Sequence, residues 1–179
     1  MPESFEAYRA RVLSYLGDRD PLRVQAGTAA RLAHLVSGVR RSILASRPAA
    51  GKWSVVEIVA HMADAELAMA WRLRNMIATP GVRLTWWDEH LWSEACGYSG
   101  VPVARSLALF RVLRSGNLAL LRSVPRRKWA TRYGVHDKRG RQTVVDFVQM
   151  DAAHDLNHLK QVAHLVRPST SESTRRAKH

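Results

Sequence analysis

The sequence is poor in features that define several large protein classes. It has a single cysteine, Cys96, which excludes an internal disulfide framework and a zinc site built on cysteines. No apolar stretch approaches the roughly 18 uncharged residues that a membrane-spanning helix needs. The first twenty residues carry four acidic side chains among their arginines, which argues against a secretory signal peptide. These absences predict a soluble, cytoplasmic protein that does not bind a membrane.

Acidic residues are also few, and the excess of positive charge is unevenly placed. The 179 residues include 28 lysines and arginines but 15 aspartates and glutamates, a formal net charge of +13. Residues 101–142 hold eleven basic side chains and one acidic, a net +10, whereas residues 51–100 are net −2. Such a stretch suits nucleic acid, an anionic membrane surface or an acidic small molecule, and it is equally typical of a solvated arginine-rich surface. Charge alone therefore leaves the partner open.

The remaining composition is that of a globular domain, and its local signals are those of helices. A chain of this length buries roughly 70% of its unfolded surface, which is enough for a substantial core. Ser54 and Glu57 form a capping box, and Thr143 repeats the pattern with an acidic residue three positions later. Pro21 and Pro102 occupy positions expected for the first residue of a helix. Helices are therefore predicted at residues 3–17, 21–46, 54–78, 102–123 and 143–167.

Four long helices after a short one predict an all-α fold, a four-helix bundle with a short N-terminal helix. No pair of strands with hairpin spacing is evident, although residues 129–135 have the character of a short extended segment. Residues 80–101 form a 22-residue connection, far longer than the roughly 2–8 residues that join antiparallel neighbours. This crossover predicts that the third and fourth helices are parallel and that the third and fifth are antiparallel. We expect one domain over residues 1–168 and a disordered tail over 169–179.

Histidine provides the clearest chemical signal. Of eight histidines, His154 and His158 are four residues apart in the last predicted helix, on one face and one turn apart. Helical zinc sites use this spacing, although a surface pair or two hydrogen-bonded core histidines share it. His61 lies on the apolar stripe of the third predicted helix, where an ionisable group must be paired, hydrogen-bonded or metal-bound. In antiparallel helices the three imidazoles lie at similar depth, which predicts a metal site with free coordination positions.

The extended zinc-protease pattern offers another interpretation of the same segment. His154, His158 and His164 match its spacing, H-E-x-x-H-x-x-G-x-x-H. Asp155 replaces the glutamate that reaches the zinc-bound water and is one methylene shorter. Gln161 replaces the glycine that turns the chain, so the helix continues and His164 points away from the other two. These two departures disfavour a metalloprotease.

Two segments resemble the DinB-like superfamily of helical bundles: GKWSVVEIVAHMADAE at residues 51–66 and HDLNHLKQV at residues 154–162. The resemblance extends over nearly the whole chain, including the tryptophan-rich crossover. It implies relatives among thiol-dependent transferases and isomerases, including bacillithiol and mycothiol enzymes, and among metal-dependent hydrolases. The superfamily name reflects damage-inducible expression, which implies a stress response and not DNA binding. The resemblance also implies a site for a divalent metal such as zinc or nickel, with three histidine ligands: His61, His154 and His158.

Residues near these ligands form a candidate second layer of the site. Asp64, Asp151 and Gln161 each lie three residues from one of the histidines, within reach of an imidazole N–H. For the two aspartates, surface carboxylates paired with arginines are the equal alternative. His90 and His136 lie in connections flanking the helices, either as acid–base groups at the mouth of the site or as ordinary exposed histidines.

Two functions are compatible with this pattern. The first is a metal-dependent enzyme that transfers a low-molecular-weight thiol to a small-molecule electrophile, or hydrolyses its substrate, with the arginine-rich stretch receiving an anionic thiol. The second is a non-catalytic, metal-stabilised or nucleic-acid-binding stress-response module that uses residues 101–142. The catalytic residues beyond a metal-bound water or thiol stay open, as do the identity of the metal and the oligomeric state, a homodimer among the options.

Overall fold

The computed structural model describes residues 4–167 as seven α-helices and one small sheet. The predicted tail at 169–179, and with it the predicted domain boundary at 168, lies outside the described residues. In that described part, no helix is both long and apolar enough to span a membrane. The helices are α1 (Phe5–Ser14), α2 (Pro21–Val36), α3 (Arg41–Ala45), α4 (Val55–Ala78), α5 (Glu89–Ala95), α6 (Val103–Ser123) and α7 (Val144–Leu165), and the strands are β1 (Val82–Leu84), β2 (Tyr133–His136) and β3 (Gly140–Thr143).

The predicted four-helix bundle is confirmed, and it consists of α2, α4, α6 and α7. Two clusters of buried apolar side chains show which helix ends lie together. One combines the end of α2 and of α7 with the first halves of α4 and α6, through Val36, Leu159, Val59 and Phe110. The other combines the opposite ends, through Leu22, Phe147, Leu73 and Leu118. Therefore α4 and α6 run parallel, α2 and α7 run parallel, and the two pairs are antiparallel, as the long crossover predicts.

The helices begin where the capping signals place them. Ser54 Oγ accepts a hydrogen bond from the backbone N–H of Glu57 at 3.3 Å, and the Glu57 carboxylate accepts one from the N–H of Ser54 at 2.9 Å. The same reciprocal pair starts α7 at Thr143 and Asp146. Pro102 is the N-cap residue of α6, one position before the helical position that the sequence predicts for it. These side chains satisfy the first amides of α4 and α7, which lack partners within their own helices.

The prediction of one helix over residues 21–46 is wrong. The helix α2 ends at Val36, and the separate short helix α3 follows after a turn. Gly38 in this turn has a φ of +70°, a left-handed conformation that ends helices and strongly favours glycine. The apolar periodicity continues through the turn because Val39 packs against the same core as Leu35, so periodicity alone did not reveal the break.

A three-stranded sheet, which the sequence did not predict, closes one end of the bundle. The strand β1 follows α4 and pairs in parallel with β2, and β2 and β3 form an antiparallel hairpin that leads into α7. Leu84 is buried against Gly134, where an added Cβ would come within 2.5 Å of Leu84 Cγ. Glycine is therefore required on β2 for this close approach. The crossover continues through α5 to the buried Tyr98, whose hydroxyl donates to Asp64 on α4 at 2.6 Å.

Candidate metal centre

Two helices bring the three predicted histidine ligands together. The capping box at Ser54 starts α4, and His61 lies in its second turn, among buried side chains. His154 lies at the middle of α7, and His158 lies one turn later. Since α4 and α7 are antiparallel, the early turns of α4 face the late turns of α7. We call His61, His154 and His158 the histidine cluster.

The Nε2 atoms of the histidine cluster converge. His154 Nε2 lies 3.1 Å from His61 Nε2 and 2.9 Å from His158 Nε2. One ring nitrogen from each of the three residues lies within 4.8 Å of a ring nitrogen of each of the other two. His61 and His158 are 5% exposed, so these nitrogens have little access to bulk water. The arrangement is a compact set of three imidazole donors at the floor of a cleft.

The spacing fits a single divalent ion. Zinc lies about 2.0–2.1 Å from imidazole nitrogens, which separates two ligands by about 2.9 Å at a right angle and about 3.3 Å at the tetrahedral angle. The two observed separations, 3.1 and 2.9 Å, are near this range. A neutral imidazole has one proton for its two nitrogens, so three Nε2 atoms at this spacing cannot all find hydrogen-bond partners in one another. A cation accepts all three lone pairs at once, and the donor set therefore fits such an ion.

Burial keeps these imidazoles in the neutral form that binds metal. Burial lowers the pKa of His154 to about 4, with the positive charges of Arg114 and Arg139 adding to the effect. Burial also lowers the pKa of His158 to about 3, and that of His61 well below its usual value. At neutral pH each ring therefore keeps a lone pair available for coordination, since a protonated imidazole cannot bind a metal.

Of the three predicted second-layer residues, one contacts its histidine. Gln161 Oε1 lies 2.8 Å from His158 Nδ1, so that ring donates its Nδ1 proton to the amide and directs the Nε2 lone pair into the cluster. Asp64 accepts the hydroxyl of Tyr98 instead, and His61 Nδ1 is buried with no hydrogen-bond partner among the described residues. The expectation that Asp64 orients His61 is therefore wrong, because the crossover takes up its carboxylate.

Asp151 pairs with an arginine, as one of its two sequence interpretations holds, but in a buried ionic group and not at the surface. The guanidinium of Arg114 on α6 is 4% exposed, and its Nη2 lies 3.3 Å from Asp151 Oδ2. The same guanidinium bonds the carboxylates of Glu66 at 2.8 Å and Asp155 at 3.0 Å. We call these four residues the arginine network. Asp151 therefore pairs with Arg114, and no hydrogen bond joins it to His154 among the described contacts.

The arginine network lies directly behind the histidine cluster on α7. An oxygen of Asp151, a nitrogen of His154 and an oxygen of Asp155 lie within 4.8 Å of one another. Burial raises the pKa of Asp151 well above its usual range, and the negative charges of Glu66 and Asp155 add to this against the opposing effect of Arg114. One guanidinium thus contacts all three buried carboxyl groups of the network.

The histidine cluster opens into a cleft of about 820 Å³ between α4, α7 and the crossover. Trp53 and Trp87 cover His61, with ring centres 4.8 and 5.8 Å from its imidazole. His90 on α5 is exposed beside Trp53, 5.3 Å between ring centres, so it lies at the mouth of the cleft. His136 is 1% exposed in β2 and also lines the cleft, which corrects the expectation of an exposed loop histidine.

A family comparison agrees with this arrangement. The model of the DinB superfamily matches residues 26–162, about three quarters of the chain, including all three histidines. The chain belongs to the DinB superfamily. Among solved structures, this DinB-superfamily protein is similar to YfiT from Bacillus subtilis, a four-helix bundle of unusual topology, with 23% identity and a TM-score of 0.76. The match covers 90% of this chain and 87% of YfiT, and it shows the shared fold. No curated protein matches this DinB-superfamily chain.

Proposed function

We propose that this protein is a divalent-metal-dependent enzyme whose metal, zinc or nickel, is held by His61, His154 and His158. The observation that carries the proposal is the convergence of three Nε2 atoms, from the buried His61 and His158 and the partly buried His154, in a large cleft. Three protein ligands leave coordination positions for small molecules, which is the pattern of catalytic rather than structural zinc sites. YfiT, which has the same fold, has been described as a probable metal-dependent hydrolase, and this supports the proposal.

The residues around the cluster prepare it for this chemistry. Gln161 holds the tautomer of His158, and Trp53 and Trp87 exclude water from one side of His61. A bound divalent ion supplies Lewis acidity that lowers the pKa of a nearby water or thiol, so that a nucleophile exists near neutral pH. The cleft is within the 300–1,000 Å³ range of small-molecule sites. We therefore expect either hydrolysis or the transfer of a low-molecular-weight thiol, such as bacillithiol or mycothiol, to a small electrophile.

Cobalt substitution tests this proposal and separates its two reactions. The cobalt-loaded protein is titrated with small thiols while its absorption spectrum is recorded, and its turnover of activated esters is measured without thiol. A thiol transferase is expected to develop an intense thiolate-to-cobalt absorption, whereas a hydrolase turns over esters and shows no such band. His158→Ala removes both signals if the cluster is the site. A wild-type protein that binds no cobalt contradicts the proposal.

The alternative, nucleic-acid binding through residues 101–142, is not favoured by the placement of this segment. Arg114 is buried in the core, where it pairs with carboxylates, so its charge is not part of an outer surface. Phosphate binding through the remaining exposed arginines would weaken steeply with salt. Titration of a labelled DNA duplex at two salt concentrations tests this alternative.

A further inference from the structure

The end of the cleft nearest the sheet carries positively charged and donor groups that the metal chemistry does not use. On α4 the cleft is lined at helical intervals by Ile58, His61, Ala65, Met69 and Arg72. Arg72 is eleven residues beyond His61 on this face, about 16 Å along the helix axis. The sheet contributes His136 from β2 and Arg139 from the turn between β2 and β3. These three side chains therefore form one end of the cleft, and the histidine cluster forms the other.

Arg72 has no carboxylate partner among residues 4–167. Its Nη2 donates to the backbone oxygen of Thr85 at 2.6 Å, and no ion pair with it is formed in that part of the chain. Burial, together with the nearby charge of Arg139, lowers the pKa of Arg72 to about 10. A partly buried cation without a counter-ion is unfavourable. An anionic ligand in the cleft would compensate this charge.

Each of the three carboxylates that line the cleft interacts with a group other than Arg72. Asp146 caps α7, and Asp151 pairs with Arg114. Glu89 is the carboxylate that acts on Arg139. None of these three carboxylates forms an ion pair with Arg72 among the described residues.

His136 adds a hydrogen-bond donor at the same end. Its Nδ1 accepts the backbone N–H of Lys138 at 3.1 Å, so in the neutral ring the proton is on Nε2. Nε2 is buried and has no partner among the described residues. A buried donor without a partner is unfavourable, and a ligand acceptor would provide the missing hydrogen bond. The donor and the two guanidinium groups share one complementary ligand chemistry, an oxyanion.

We propose that Arg72, His136 and Arg139 bind the carboxylate or phosphate group of a small-molecule substrate whose reacting part lies at the histidine cluster. The guanidinium fork matches both oxyanions in a bidentate geometry. Both groups line the same cleft of about 820 Å³, which has the volume of a site for one small molecule that reaches both ends. The assignment of the reacting end rests on the proposed function, whereas the oxyanion subsite is defined by this chain's own residues.

The test uses metal-free protein, so that the anion cannot bind a metal. Inorganic phosphate and succinate are titrated separately into the wild type by calorimetry at low ionic strength, and the tighter ligand identifies the oxyanion. Arg72→Gln and Arg139→Gln are each expected to weaken its binding about tenfold or more. Arg111→Gln removes the same charge from an exposed position of α6 outside the cleft, and it is expected to change binding less than about twofold.

The outcomes separate this proposal from the metal proposal. The absence of saturable binding of both anions to the wild type overturns the subsite, and so does an Arg139→Gln variant that binds as tightly as Arg111→Gln. Arg139 is exposed in a turn, so its replacement tests the subsite even if Arg72→Gln fails to fold. A protein that binds anions in this way but takes up no divalent metal retains the subsite and loses the proposed function.

Discussion

Replacing Arg114 by methionine should destabilise the protein more than any other single change of a charged side chain on α6. The guanidinium is 3.3 Å or less from three buried carboxylates, those of Glu66, Asp151 and Asp155, and it also donates to the backbone oxygen of Gln25 at 3.2 Å. Methionine keeps most of the volume and the contact with the ring of Phe110, but it removes the only positive charge of the arginine network. The carboxylates then lie in the core without a counter-charge.

The magnitude follows from the burial of every partner. Arg114 and its carboxylates are each less than 9% exposed. Removing one member of a buried ion pair costs about 3–5 kcal/mol, since the remaining charge loses its compensation. That is a large part of a total stability of about 5–15 kcal/mol. For a domain of this size, we expect the melting temperature to fall by about 6–20 °C.

Urea unfolding of metal-free protein, followed by circular dichroism, measures this loss. Arg111→Met is the matched control, because Arg111 is exposed on the same helix and its replacement should change stability by less than about 0.5 kcal/mol. Adding Glu66→Gln and Asp155→Asn to Arg114→Met should recover part of the loss, since these changes remove the uncompensated charges. A loss below about 1 kcal/mol in Arg114→Met would refute the electrostatic account of this network.

Three further predictions concern the histidines, Gln161 and the sheet. Metal-free protein should lose stability as the pH falls from about 6.5 toward 4, because His136, His154 and His158, with pKa values of about 4, 4 and 3, stay neutral when folded and take up protons when unfolded. Each contributes up to about 1.4 kcal/mol per pH unit in this window, and a melting temperature that does not change from pH 7 to 5 contradicts the assignment. Gln161→Leu should weaken metal binding about 10- to 100-fold in a chelator competition, because His158 loses the partner that orients it. Gln149→Leu, at an exposed position of the same helix, should have no effect. Equal metal affinities of the two variants argue against an orienting role of Gln161. Gly134→Ala should cost about 1–3 kcal/mol in thermal melts through its clash with Leu84, and a double variant with Leu84→Ala that recovers nothing would show that another contact is responsible.

The parts of the structure that depend on local sequence were predictable. The capping boxes at Ser54 and Thr143 identify the starts of α4 and α7, because cap and N3 residues are only three positions apart. The spacing of His154 and His158, combined with the length of the crossover, brings His61 to the same site. Each of these signals lies within one helix or follows from one connection.

The parts that depend on distant pairing were not predictable in this way. The strand β1 has three residues, and its partner β2 follows about fifty residues later, so neither shows the alternation of a longer strand. His136 is buried because of that pairing, and a loop position was the expectation without it. The arginine network has a sequence signal, because Asp151 and Asp155 lie on the buried face of α7 and need a cation there. Counting Arg114 as surface charge obscured that cation.

The central claim is that His61, His154 and His158 form one metal site. The most direct test is the metal content, by mass spectrometry, of protein purified without a histidine tag. We predict about one equivalent of zinc or nickel per chain in the wild type and in His34→Ala, which alters an exposed histidine outside the cleft, and almost none in His158→Ala. A wild type that holds no divalent metal and takes up neither ion when they are added, or a His158→Ala variant with undiminished metal, would contradict the account.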